Sequence, residues 1–161
     1  MSGFAVNGLN FRAVNGPDDV LPGEQYSESP PLIVGAVTGR MVDAERDRRI
    51  DSDFLFNGIV FQCRPADREN ITGAAQLAFM AISAGAKTGN LRWLDEGKDF
   101  TWIAADNSQV PMDAHDVVRF AREVASRKQS LIYLGRRLKD MDVIPDDYAS
   151  EKWWLISEEV N

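Results

Sequence analysis

The sequence predicts an α+β fold: a small antiparallel sheet, made of a hairpin plus a three-strand meander, packed on two helices, with a small β-rich module at the N-terminus. Three observations predict it. The octet "FAVNGLNF" at 4–11 returns as "FLFNGIVF" at 54–61, each with Asn-Gly at its centre, the strongest short hairpin signal. Two long stretches place apolar residues at helical spacing: Ile71, Ala75, Ala78 and Ile82, then Val117, Phe120, Val124, Leu131, Leu134 and Leu138. Between them, short β-prone runs alternate with turn formers.

The first element is the hairpin at the N-terminus. A two-residue type I′ turn needs positive φ at both central positions, which Asn tolerates and Gly accepts freely. Around Asn7-Gly8, Val6 should face Leu9 and Phe4 should face Phe11. Around Asn57-Gly58, Phe56 should face Ile59 and Phe54 should face Phe61. Strand side chains alternate, so each hairpin gathers four apolar groups on one face. The second copy carries Leu55 and Val60 on its other face, which is therefore expected to be covered as well. The first copy has Ala5 and Asn10 there and is expected to be half exposed.

After the first hairpin come turn formers, Asn15-Gly16-Pro17 and Pro22-Gly23, then "SESPP" as an extended linker. "LIVGAV" reads as a strand or a docking segment. Residues 40–50 are charged and helical, with Glu45 placed to pair with Arg49 at i,i+4. The chain is thus expected to divide into an N-terminal partner-binding module (1–35), an α+β domain (36–141) and an acidic aromatic tail (142–161). Within the domain the first packed helix should run over 67–85, starting at Asp67 and stopping near Gly85, with Lys87 at its C-terminal end. Gly73, Ala74, Ala75, Ala78 and Ala81 should let another element come close. "NLRW", "FTWIAA" and "QVPM" read as the meander, the last an edge strand because Pro111 cannot donate to a ladder. Asp113 should cap the second helix, 114–139, with Asp116 in its first turn and Arg136, Arg137 and Lys139 in its last.

Composition excludes several function classes. There are 18 Lys and Arg against 25 Asp and Glu, a net charge of −7. That argues against broad binding to nucleic acid or to an anionic membrane. Arg46, Arg48 and Arg49 could form a local basic patch or a solvated helix face. The single cysteine, Cys63, excludes an internal disulfide and reads as a small buried apolar residue. The longest weakly polar run, 73–86, is too short to span a bilayer, and no leader pattern opens the chain.

No catalytic set emerges. His115 has Asp113 and Asp116 beside it but no second His or Cys at ligand spacing, so helix-start capping explains it better than a metal. "SAGAKTGN" lacks phosphate-loop spacing and ends a helix rather than starting one. "NIT" at 70–72 lies inside an expected helix, and "DNS" at 106–108 reads as an Asx turn. Neither an enzyme nor a cofactor is expected. Surface is what remains: Phe4, Val6, Leu9 and Phe11 of the first hairpin, and Trp153 and Trp154 near the C-terminal end, are the candidate partner-binding residues. For the two tryptophans, burial in the parent domain is the alternative.

Two stretches resemble known families. "FRAVNGPDDVLPGEQYSE", 11–28, resembles a segment of tailed-phage tail-fibre assembly proteins, through Phe11, Arg12, Ala13, Val14, Asp18, Asp19, Leu21, Pro22, Gly23, Glu24 and Tyr26. Residues 46–140 resemble a domain of unknown function found in phage and prophage tail proteins, through "RRID", "FNGIVFQ", "ADRENITGAA", "LRW", "FTWIAADNSQVPMDA" and "LKD". The resemblance implies a phage tail-fibre assembly chaperone or fibre-tip accessory virion component, which helps fibre chains trimerise and takes part in host attachment. Its partners would be the trimeric tail fibre and other tail proteins, with no nucleic acid and no membrane. Its location would be the host cytoplasm during assembly, or the virion tail. The alternative is a permanent structural subunit of baseplate or fibre attachment. A third reading, hydrolysis of host-surface glycans, would need paired carboxylates in a cleft; Asp95, Glu96 and Asp99 cluster instead in a turn.

Overall fold

The computed structural model describes residues 2–7, 10–30 and 37–155. The fold is α+β, with three helices and small antiparallel sheets. The chain forms two compact units, Met1–Ala36 and Val37–Asn161.

The first unit is a three-stranded antiparallel sheet of β1 (Gly3–Asn7), β2 (Asn10–Val14) and β3 (Gln25–Ser27), in the order β2-β1-β3. A 3₁₀ turn at Pro17–Asp19 lies between β2 and β3.

The second unit begins with α1 (Gly39–Ile50), followed by the ribbon β4 (Phe54–Phe56) and β5 (Ile59–Phe61). Asn57 at φ 50° and Gly58 at φ 79° make the turn, and Phe54 pairs with Phe61 and Phe56 with Ile59, as the Asn-Gly rule requires. Leu55 and Val60, on the other side, are 63% and 43% exposed. The expected second cover is absent there, because among the described residues α2 (Pro65–Ser83) and α3 (Ala114–Lys139) pack on the phenylalanine side.

Helix α2 (Pro65–Ser83) starts two residues before Asp67. Pro65 suits the first helical position because it has no N–H to leave unpaired. Asp67 sits in the first turn, where its carboxylate accepts from the Arg64 backbone N–H at 2.9 Å. At the far end Ala86 N–H bonds to Ala81 O and Gly85 N–H to Ile82 O, both at 2.9 Å. This closure needs a left-handed residue, and Gly85 supplies it at φ 103°. Ile71 and Ala78 are buried, and Ala74, Ala81 and Ile82 pack beside them. Gly73 faces outward with nothing near its missing Cβ, so the close approach falls on the alanines alone.

The expected meander is a two-stranded ribbon, β6 (Thr101–Ile103) with β7 (Gln109–Pro111), and it forms a sheet separate from β4-β5. One bond, Ala105 N–H to Val60 O at 2.8 Å, links the two ribbons. The segment "NLRW" forms no strand, because Trp93 turns into the core and donates from Nε1 to Met112 O at 3.1 Å. Single bonds hold its surroundings: Phe100 N–H to Leu91 O at 2.8 Å, and Met112 N–H to Phe100 O at 3.2 Å.

Helix α3 (Ala114–Lys139), 26 residues and roughly 39 Å long, walls both hydrophobic clusters of the unit. Its N-terminal half sends Val117, Phe120 and Val124 among Phe56, Phe61, Ile71 and Trp93. Its C-terminal half sends Leu131 and Leu138 to Val42 and Ile50 of α1 and to Trp154. Two arginines fasten the C-terminal end of α1, whose carbonyls have no partner within the helix. Arg127 donates to Arg49 O and to Ser52, and Arg68 donates to Ile50 O, to the Asp51 carboxylate and to Cys63 O.

Asp113 caps α3, accepting from Asp116 N–H at 2.8 Å, and with its other oxygen accepts from Gly89 N–H at 2.6 Å. The residue is 5% exposed. Burial alone would raise its pKa, but the N–H groups of Gly89, Asp116 and His115 outweigh that and hold it below the usual carboxylate range. A lowered folded pKa means stabilisation that is complete above the unfolded value and is lost as pH falls through the folded one. Replacing Asp113 by Asn keeps one acceptor but turns an NH₂ toward the other backbone N–H, and should cost about 1–3 kcal/mol at neutral pH, with the deficit shrinking below roughly pH 4. Urea unfolding across pH measures this. Phe120→Ala should destabilise the unit by about 3–5 kcal/mol, seen as a lower urea midpoint with an unchanged slope.

Candidate partner-binding surface

The sheet of the first unit has two unlike faces. One carries Gly3, Ala5 and Val14, all buried. Tyr26 pairs with Ala5, and its ring lies over Gly3, where an added Cβ would stand 2.5 Å from the Tyr26 oxygen. Gly3 is thus fixed by the close approach of the ring. Arg12, opposite Ala5, carries the loop between β2 and β3. Its guanidinium meets the Glu24 carboxylate at 2.8 and 3.1 Å and donates to Asp19 O at 2.8 Å. Glu24 also accepts from Leu21 N–H at 2.9 Å, and Asp19 accepts from Asn15 N–H at 3.1 Å. The hydrogen bond from Arg12, then that from Leu21, holds the Glu24 carboxyl below its usual range.

The other face carries Phe4, Val6, Phe11 and Ala13. Phe4 and Phe11 meet edge-on at 5.7 Å, and Phe11 is 42% exposed. Phe4 and Val6 are half-buried and Ala13 is exposed, and among the described residues the outer edges of β2 and β3 have no strand beside them. The only apolar side chains buried in the unit, among those described, are Ala5 and Val14. A unit of this size rarely stands alone without a disulfide, a metal or a partner.

The expected register changes here. Asn7 pairs with Asn10, Val6 with Phe11 and Phe4 with Ala13, two residues away from the pairing that an Asn7-Gly8 turn would set. In that expected pairing Val14 would lie opposite Met1; in the observed one it lies opposite Gly3 and is buried. A shift of two residues leaves every side chain on its expected face, so Phe4, Val6 and Phe11 still come together. Leu9 lies outside the described residues. Ala13, which completes the apolar face, and Tyr26, which closes the opposite one, are the residues that Asn-Gly spacing did not single out.

The two tryptophans belong to the second unit. Trp154 is 3% exposed, packs on Leu131 and Leu138, and donates from Nε1 to Tyr148 O at 2.7 Å. Arg49 lies over its ring at 5.2 Å. It is a core residue, which corrects its assignment to contact surface. Trp153 is half-buried and bonded to the Asp147 carboxylate at 3.0 Å. Arg46, Arg48 and Arg49 form no free basic patch: Arg46 pairs with Asp43 and Asp47, Arg48 with Glu45, and Arg49 with Glu45 and Glu151. Cys63 is buried, and burial pushes its thiol pKa up, against nucleophilic use. Among the described residues no three His, Cys, Asp or Glu side chains are grouped to hold a metal, and no helix is long and apolar enough to cross a membrane.

Residues 36–151 match the model of the Domain of unknown function (DUF4376) family, and the chain belongs to that family. The match begins where the first unit ends. No curated protein and no solved structure matches the chain.

Because Glu24 ties the loop to β2, Glu24→Gln should expose residues 16–24 to limited proteolysis while leaving the thermal unfolding of residues 37–155 unchanged. Acidification should have the same effect as pH falls through the lowered Glu24 value.

Proposed function

We propose that the protein is a tail-fibre assembly chaperone or fibre-tip accessory of a tailed phage, and that it grips the fibre through its N-terminal sheet without bond-making chemistry. The observation that carries the reading is the partly exposed apolar face of Phe4, Val6, Phe11 and Ala13, on a sheet whose outer edges have no strand beside them among the described residues and whose buried apolar side chains, among those described, are Ala5 and Val14 alone. An unfinished β-rich fibre offers what such a sheet lacks: apolar surface and unpaired backbone to extend it by β-augmentation. The likeness of 11–28 to fibre assembly proteins supports the same reading. Its polar residues Arg12, Asp19 and Glu24 hold the loop that brings β3 alongside β1, so the shared motif serves the sheet rather than a reaction.

The test is co-expression with the fibre chain, followed by co-purification and size-exclusion chromatography. Phe4→Asp with Phe11→Asp should abolish co-purification while the second unit keeps its unfolding transition. Retention of the fibre by this double variant would overturn the assignment. The amount of the protein in purified virions then separates a released chaperone from a permanent tail subunit.

A further inference from the structure

A groove of about 490 Å³ runs along the second unit beside β6, within the range of small-ligand sites. Phe100 and Trp102 provide its aromatic side. Asn70 and Asp67 from α2, Gln62 from the end of β5 and Asn107 from the β6–β7 turn provide its polar side. The rings are anchored from behind. Trp102 meets Phe120 edge-on at 5.9 Å, and Phe100 lies 4.7 Å from Trp93. Asn107 holds φ 67°, a left-handed conformation that Asn tolerates better than most residues.

What marks the groove is its stock of uncommitted polar groups. Of the four tryptophans, Trp93, Trp153 and Trp154 donate their indole N–H within the protein. The Trp102 N–H has no acceptor among the described residues, and it is not sealed off: the one buried, unpartnered side-chain nitrogen or oxygen among them is His115 Nδ1. The side-chain amides of Asn70 and Asn107 are likewise uncommitted. Gln62 uses its oxygen for Arg64 and keeps its NH₂. Asp67 directs one oxygen to Arg64 and keeps the other.

We propose that this groove binds a neutral saccharide. An aromatic ring offers an apolar face to the C–H face of a pyranose, while the indole N–H donates to a hydroxyl. Amides, which both donate and accept, and a carboxylate that accepts suit hydroxyls that do both. The lining has one carboxylate and no Lys or Arg, and the cation beside it, Arg64, is already held by Asp67 and Gln62, so a phosphate or a nucleic-acid strand meets no free counter-charge in the lining. The site lies within the second unit.

The test uses the full chain and a panel of neutral di- and trisaccharides of hexoses and N-acetylhexosamines, read by saturation-transfer NMR and titration. Sugar phosphates and a neutral peptide serve as comparison probes. At least one neutral sugar should bind with Kd of about 1 mM or tighter. Trp102→Phe keeps a ring and removes the N–H, Asn70→Ala lies on an exposed helix position, and Asn107→Gly keeps the turn. Each should weaken binding by roughly tenfold with the unfolding transition unchanged for Asn70→Ala. Absence of binding by any neutral sugar at about 10 mM, tighter binding of a sugar phosphate or the peptide, or full affinity in the Asn70 and Asn107 variants would each overturn the proposal.

Discussion

The packing around Phe120 is the constraint on which the second unit depends. Its ring is fully buried and meets Phe61 at 4.9 Å, Phe56 at 5.1 Å, Trp102 at 5.9 Å and Phe54 at 6.0 Å. These four rings come from three strands in two separate ribbons, and a two-stranded ribbon is marginal in water. Each ribbon is stable because it leans on this one side chain and its neighbours. Where Phe120 points is set in turn by where α3 starts, and that is decided by the Asp113 cap and its bond to Gly89. A local hydrogen-bonding choice therefore governs the placement of a tertiary cluster.

The twin octets show how far short-range rules reach. In the second copy, turn chemistry and core burial agree: Asn57 and Gly58 take the left-handed turn, and Phe54, Phe56 and Phe61 reach Phe120. In the first copy, longer-range contacts outweigh the turn. Bonding to β3, the reach of Arg12 to Glu24 and the burial of Val14 all favour a shifted pairing. Alternation, being a property of the strand alone, was readable in both copies. Register depends on residues further along the chain, and only in the second copy did it follow from the octet.

Helices were the most legible elements, because periodicity and caps are local. The stripe on α3 and the stop at Gly85 are examples. The α1 contribution to packing was hidden, since ten of its twelve residues show no apolar burial and only Val42 and Ile50 enter the core. Trp93 made "NLRW" look like a strand by composition, whereas the residue works as a plug. At the candidate surface, Phe4, Val6 and Phe11 were legible from alternation. Trp154 was ambiguous because an aromatic pair suits a core as well as a contact; its burial rests on α1 and α3 lying side by side.

The span of α3 has a thermodynamic consequence. One continuous helix forms a wall of both hydrophobic clusters, that of the ribbons and that of α1 with Trp154. Dissolving either cluster strips half the helix of its support, and a half-length helix alone is marginal in water. The two regions are therefore joined into a single melting block rather than two independent foldons, so damage near Trp154 is felt at the far end of the rod.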